Sequence, residues 1–188
     1  MSHIAAHPTV YKDRTYRSRL EARWAAFFDQ LGWRYEYEPY DLNGWVPDFA
    51  LISKTKSILV EVKPITHFDE DVGKKITNAL PPGQEALLVG CCQPTVAYSS
   101  PGIPCVGWLG PEWGEWALAP FVWYKANPKF ADFIHSTGWF QGRLTDERDG
   151  DDWGNAPRRD EEIWAAWQRA GSLTQWKPAS PFQQGSES

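Results

Sequence analysis

The chain has 188 residues, 42% of them hydrophobic, with 12 tryptophans and a formal net charge of −5. That length and apolar content suit one folded domain with a sizeable core and exclude a disordered chain. No apolar run nears the roughly 18 residues of a membrane span, and the acidic balance excludes a uniformly basic surface while leaving room for a local basic patch.

The opening stretch MSHIAAHPTVYKDRTYRSR has no apolar leader core, so export is not expected. Cys91, Cys92 and Cys105 form no even, regularly spaced framework, which points to a reducing, cytoplasmic setting. With His67 or His135 they also lack the paired spacing of a zinc site.

Residues 1–13 carry no periodicity and read as a flexible lead-in. From Arg17 to Leu31, the apolar residues Leu20, Trp24, Phe27, Phe28 and Leu31 recur at helical spacing. Ser18 or Thr15 is placed to cap that helix and Gly32 to stop it. Glu21 lies in the first turn beside the buried stripe, where the helix dipole favours an acid. Trp33 to Glu38 alternates aromatic and charged residues, predicting a half-buried strand that ends at Pro39, with Glu36 and Glu38 on its solvated face.

Asn43-Gly44 marks a turn, and Val46 to Pro64 (VPDFALISKTKSILVEVKP) reads as a β-hairpin. Thr66 to Leu80 is a predicted helix, with Phe68, Val72, Ile76 and Leu80 four apart and acids leading lysines along it. After the break at Pro81-Pro82-Gly83, Ala86 to Gly90 is a short buried strand. The order is therefore αβββαβ, a mixed α/β core. Beyond Cys91, strands are expected at Val106–Leu109 and Trp116–Tyr124. A helical turn is expected at Phe130–Ile134, and a helix at Glu161–Ala170 with Ile163, Trp164 and Trp167 on one face. This divides the chain into a core at 14–125, an irregular tryptophan-rich extension at 126–177 packed on it, and flexible tails at 1–13 and 178–188.

The hairpin carries the chemistry. Glu61 and Lys63 are two apart on one predicted strand and leave the same face, while Asp48 opens the neighbouring strand. Helix, strand and adjacent strand can bring Glu21, Asp48, Glu61 and Lys63 to one end of the sheet. An acid cluster of this kind suits a hard divalent ion such as Mg²⁺, which polarises a phosphate and lowers the pKa of a bound water. A lysine beside it can orient or deprotonate that water, or steady charge on the phosphorane.

These residues resemble the PD-(D/E)xK nuclease superfamily, with Pro47-Asp48 as the PD and Glu61-Val62-Lys63 as the (D/E)xK. The opening TYRSRLEARWAAFFDQLGWRYEYEP is similar to phage and transposon members, among them junction-resolving endonucleases. The resemblance covers about residues 14–90 and implies a restriction-endonuclease-like core with a mixed central sheet. It further implies a metal-dependent DNA endonuclease that leaves 5′-phosphate and 3′-hydroxyl ends, with Asp48, Glu61 and Glu21 as ligands of Mg²⁺ (or Mn²⁺) and Lys63 as the water-orienting residue.

Arg17, Arg19, Arg23, Lys54, Lys56, Lys74 and Lys75 are the expected DNA contacts, and a homodimer would suit cleavage of both strands. Trp45 is expected in the core or stacked on a base, and Thr66 and His67 lie near the motif. The competing expectation is a nuclease-fold protein that binds nucleic acid or a partner protein without cutting, for example a phage-encoded factor acting on host defence or recombination. The acidic charge and the exposed aromatics of the second half suit it.

Overall fold

A computed structural model describes residues 7–53, 56–91, 95–96, 104–112, 115–123, 131–133 and 160–175. In chain order its elements are β1 (Thr9–Tyr11), β2 (Arg14–Tyr16), α1 (Arg19–Gln30), β3 (Arg34–Tyr37), β4 (Phe49–Ile52), β5 (Ser57–Val62), α2 (Glu70–Ala79), β6 (Ala86–Val89), β7 (Thr95–Val96), β8 (Pro104–Glu112), β9 (Glu115–Trp123), β10 (Ala131–Phe133) and α3 (Asp160–Leu173). The expected αβββαβ sequence of elements is thus present as α1-β3-β4-β5-α2-β6. The expected tail 178–188 and most of the extension 126–177 lie outside the described residues.

The main sheet runs β10-β9-β8-β6-β5-β4-β3, with β7 paired to β8. It is mixed: β5 is antiparallel to β4 and parallel to β6, with Phe49 opposite Val60 and Val60 opposite Leu87. Alternation along β5 explains its central place. Ile58, Val60 and Val62 enter one core with α1 and α3, while Leu59 enters a second core with Ile76 and Ala79 of α2. Every residue of β5 from Ile58 onward is buried, as expected of a strand covered on both faces.

Ser18 is the N-cap of α1, its Oγ accepting from the Glu21 N–H at 3.1 Å, and Gly32 takes the left-handed φ of 73° that ends the helix. The apolar face of α1 is wholly buried at Trp24, Phe27, Phe28 and Leu31. The Trp24 indole N–H donates to the Gly90 carbonyl at 2.9 Å and so ties α1 to the end of β6. α3 packs on α1 through Trp167, whose ring centroid lies 4.7 Å from that of Trp24 and 5.6 Å from that of Phe27.

Several expectations are corrected. Residues 9–16 form a β-hairpin where no element was expected; its turn residues Lys12 and Asp13 take φ values of 43° and 41° without the usual Asn or Gly. α2 starts at Glu70 rather than Thr66, because the Asp69 carboxylate accepts from the N–H groups of Asp71 and Val72, both at 3.1 Å, and caps the helix there. Phe68 precedes the helix and packs against Trp108 and Trp116. Residues 131–133 are a strand paired with β9, not a helical turn. On α3, Trp164 is exposed, and the buried face is Ile163, Ala166, Trp167 and Ala170.

Trp167→Ala should cost roughly 3–5 kcal/mol, since it empties a fully buried indole site between two helices. Urea denaturation checks this, and a loss under about 1 kcal/mol would mean that α3 does not depend on that contact.

Candidate active site

The site begins with a backbone requirement. Along β5, the Leu59 and Lys63 N–H groups donate towards β6, to Glu85 O at 3.1 Å and Val89 O at 3.0 Å. The intervening Val62 N–H faces β4, but β4 starts only at Phe49, after Pro47. The Asp48 carboxylate fills the gap: its Oδ2 accepts from Val62 N–H at 2.7 Å. A buried N–H needs such an acceptor, so the fold itself places this acid at the end of the sheet.

Glu61 sits one residue earlier on β5, and it too is buried. Its Oε2 accepts from the Trp45 indole N–H at 2.8 Å, and its Oε1 lies 2.5 Å from Lys63 Nζ. Trp45 is delivered by the Asn43-Gly44 turn, in which both residues have positive φ, 50° and 85°, and Leu42 pairs with Trp45. Trp45 is therefore a core residue that holds Glu61. Lys63 keeps its side chain about 40% exposed and reaches from the cluster to solvent.

Glu21 joins from α1. It completes a Ser18-x-x-Glu21 capping pair, with Ser18 Oγ donating to its Oε1 at 2.8 Å, and the Tyr37 hydroxyl donating to its Oε2 at 2.6 Å. Burial first, then this bond to Glu21, raises the Tyr37 pKa above the usual phenol range and keeps the hydroxyl protonated as a donor.

Arg17 connects the acids. Its Nη2 donates to Asp48 Oδ1, and its Nε lies 2.7 Å from Glu38 Oε1 and 3.8 Å from Glu21 Oε2. Burial alone would lower the pKa of this guanidinium, but Asp48, Glu21 and Glu38 more than reverse that, so it stays charged. For Asp48, burial is the largest effect and the Glu61 charge the second. Together they push it up to about 7 against the pull of the Val62 N–H and Lys63.

The structure thus gathers Glu21, Asp48, Glu61 and Lys63 at one end of the sheet, with Arg17 among them. Asp48 and Glu61 are two buried carboxylates that could hold a hard divalent cation, an ion that takes one or two carboxylates and keeps waters, and their four oxygens are engaged by Arg17, Val62 N–H, Trp45 and Lys63. Among the described residues, no group of three or more His, Cys, Asp or Glu is arranged to hold a metal. Both Glu21 oxygens are engaged in the helix cap and with Tyr37.

The expected DNA contacts are less coherent. Arg17 is turned into the acid cluster, and Arg23 stacks on Trp167, its Cζ 3.9 Å from the ring centroid, while donating to the Trp167 carbonyl. Arg19, Lys74 and Lys75 are exposed, with Lys74 near Glu70 at 3.4 Å. α1 and α2 cover opposite faces of the sheet, so these side chains start from opposite sides of it. Lys56 is half-buried at the β4–β5 turn, and Lys54 lies outside the described residues. Thr66 and His67 are exposed and contact each other at 3.3 Å.

Sequence reasoning missed the roles of Arg17, Tyr37 and Glu38. Glu36 and Glu38 are both exposed as expected, and Glu38 also pairs with Arg17. The Ser18-x-x-Glu21 spacing was the available signal for the cap; nothing in the linear sequence marks the Arg17 contacts, which join three separate segments. The chain matches no protein-family model, no curated protein and no solved structure.

An acid whose pKa rises on folding, here from 3.8 to about 7, binds its proton more tightly in the folded state, so stability falls as pH increases through that window. Asp48→Asn keeps an acceptor for Val62 N–H and removes the titration. Between mildly acidic and neutral pH the wild type should lose on the order of 2–4 kcal/mol more stability than this variant. Parallel stability–pH curves in chemical denaturation would rule the assignment out.

Proposed function

We propose that this chain is a metal-dependent DNA endonuclease of the PD-(D/E)xK type, hydrolysing phosphodiester bonds with an activated water. One observation carries the reading: Asp48 and Glu61 are both buried, 3% and 6% exposed, at the same end of adjacent strands, with the Lys63 amine on Glu61. Burying two like charges together is costly unless something uses them. The α1-β3-β4-β5-α2-β6 order supports the same reading, because the resemblance implies a restriction-endonuclease-like core of that order.

Asp48 and Glu61 would hold the Mg²⁺, which when bound lowers the pKa of a coordinated water and offsets charge on the phosphate. Glu61 is aimed by the Trp45 N–H and Asp48 by the Val62 N–H, so neither carboxylate is free to swing. Lys63 is the residue that reaches solvent. Its Nζ is held at Glu61 Oε1, from which it can donate to an attacking water or to a phosphate oxygen. Glu21 acts at one remove, holding Tyr37 and the Arg17 backbone N–H, its Oε2 being 3.2 Å from the latter.

A second reading, a nuclease-fold protein that binds nucleic acid or a partner protein without cutting, is favoured by one specific feature. Arg17 and Lys63 already pair with Asp48 and Glu61, so each of these two carboxylates has a cation of the chain beside it. The two readings part on activity. With Mg²⁺ or Mn²⁺, the wild type should nick supercoiled plasmid. Lys63→Ala should lose at least about 100-fold in rate, while its thermal midpoint moves only slightly because the lysine is half-exposed. Equal rates for the two proteins would remove the catalytic claim.

A further inference from the structure

A guanidinium among three carboxylates is an unusual thing to find beside a two-carboxylate site. Arg17 is about 54% exposed, yet two nitrogens of its fork are committed, Nη2 to Asp48 and Nε to Glu38 at 2.7 Å. The residue that holds its other end is strained: Glu38 has a φ of 47°, a conformation that favours glycine. The Glu38 N–H, donating to the Asp48 carbonyl at 3.0 Å, locks it there. Glu38 is therefore fixed by the same residue whose side chain Arg17 contacts.

The charges around Arg17 leave a definite remainder. Among the described residues, Glu21, Glu38, Asp48 and Glu61 meet the cations Arg17 and Lys63, an excess of two negative charges when all are ionised. One divalent cation balances that excess with Arg17 still in the cluster. Asp48 cannot give the same Oδ1 lone pairs to both cations at full strength, because like charges repel at that range.

We infer that Arg17 is an internal counter-cation of the Asp48–Glu61 pair, which a divalent ion displaces from Asp48 while Arg17 stays anchored on Glu38. The freed Nη2 then faces the site as a donor for a phosphodiester oxygen. Arg17 is on this view both what steadies the acids without the ion and a substrate-positioning residue with it. The inference rests on the metal-site reading above.

Calorimetric titration with MgCl₂ and MnCl₂ at neutral pH and low salt tests the exchange. Arg17→Gln should bind either ion roughly tenfold more tightly than the wild type, with Arg17→Lys between them, since a competing cation has been removed or weakened. On plasmid DNA, Arg17→Gln should raise KM more than it lowers kcat. Nitrogen NMR of the arginine side chains gives a readout that needs no variant beyond assignment: in the wild type, Mg²⁺ should free rotation of the Arg17 Nη groups while its Nε–H stays protected by Glu38.

Metal binding that is equal or weaker in Arg17→Gln, together with an unchanged Arg17 resonance in the wild type, would overturn this inference and leave the metal site standing. No binding to either protein at millimolar ion would overturn both.

Discussion

The bond between the Asp48 carboxylate and the Val62 N–H is the constraint from which the rest of the site follows. β5 is the central strand, and its N–H groups alternate between two neighbours. β6 continues alongside Val62, but β4 begins only at Phe49, opposite Val60. Leaving Val62 N–H unpaired in the interior would cost about 1–3 kcal/mol. A carboxylate at residue 48 supplies the acceptor and at the same time introduces a buried charge. The second problem is solved by Arg17, which has to reach in from the turn before α1 to meet it. A structural need for an acceptor and a chemical opportunity for a ligand coincide in one side chain.

The hydrophobic layers explain why the charged groups collect where they do. α1 and α3 cover one face of the sheet and α2 the other, so β5 is apolar on both faces along Ile58, Leu59 and Val60. Towards its C-terminal end Val62 still enters the α1-side core, and Glu61 and Lys63 on the other face meet polar partners. Trp45 closes that end. Its ring lies with Leu59 and Ile76 in the α2-side core while its N–H points at Glu61, so one residue is both the last apolar contact and the first polar one. Glu61 thus needs no solvent to be satisfied, and its position is set by packing rather than by a loop.

Local pattern made much of this legible. Helical spacing located α1; the polar run Ser53–Ser57 located the β4–β5 turn; Asn43-Gly44 announced the turn that presents Trp45; and Glu61 and Lys63 share a face simply because a strand repeats every two residues. What was not legible is of two kinds. The β1–β2 hairpin was hidden because its strands are three residues each and its turn uses Lys12 and Asp13 in a backbone conformation that neither advertises. Tyr11 and Tyr16 are buried there, and Lys12 pairs with Asp29 at 2.8 Å, so tertiary contacts decide the turn. The other failure concerns charge. A run of arginines at 14, 17, 19 and 23 reads as a basic patch, yet Arg17 faces inward to acids from β4 and from the end of β3, and Arg23 lies on the Trp167 ring. A sequence gives the sign of a side chain but not its partner, and these partners are tens of residues away.

That inward turn also bears on how the cluster could be built at all. Three carboxylates around one guanidinium hold their places best where something other than Arg17 orients them; otherwise the side chains would rotate apart into water. Two of them are so oriented. Asp48 is held by Val62 N–H and Glu21 by Ser18 and Tyr37, while Glu38, its backbone fixed through its N–H to the Asp48 carbonyl, meets Arg17 with its side chain. The strain at Glu38, of order 1–2 kcal/mol for a non-glycine residue, has a structural cause: relaxing it would swing the carboxylate away from Arg17 and break the link to β4 at the same place. Asp48 and Glu21 are preorganised independently of the guanidinium that joins them. An arrangement of that kind can exchange one cation for another without rebuilding the fold, because the positions of its oxygens are set by the sheet and the helix cap rather than by the charge between them.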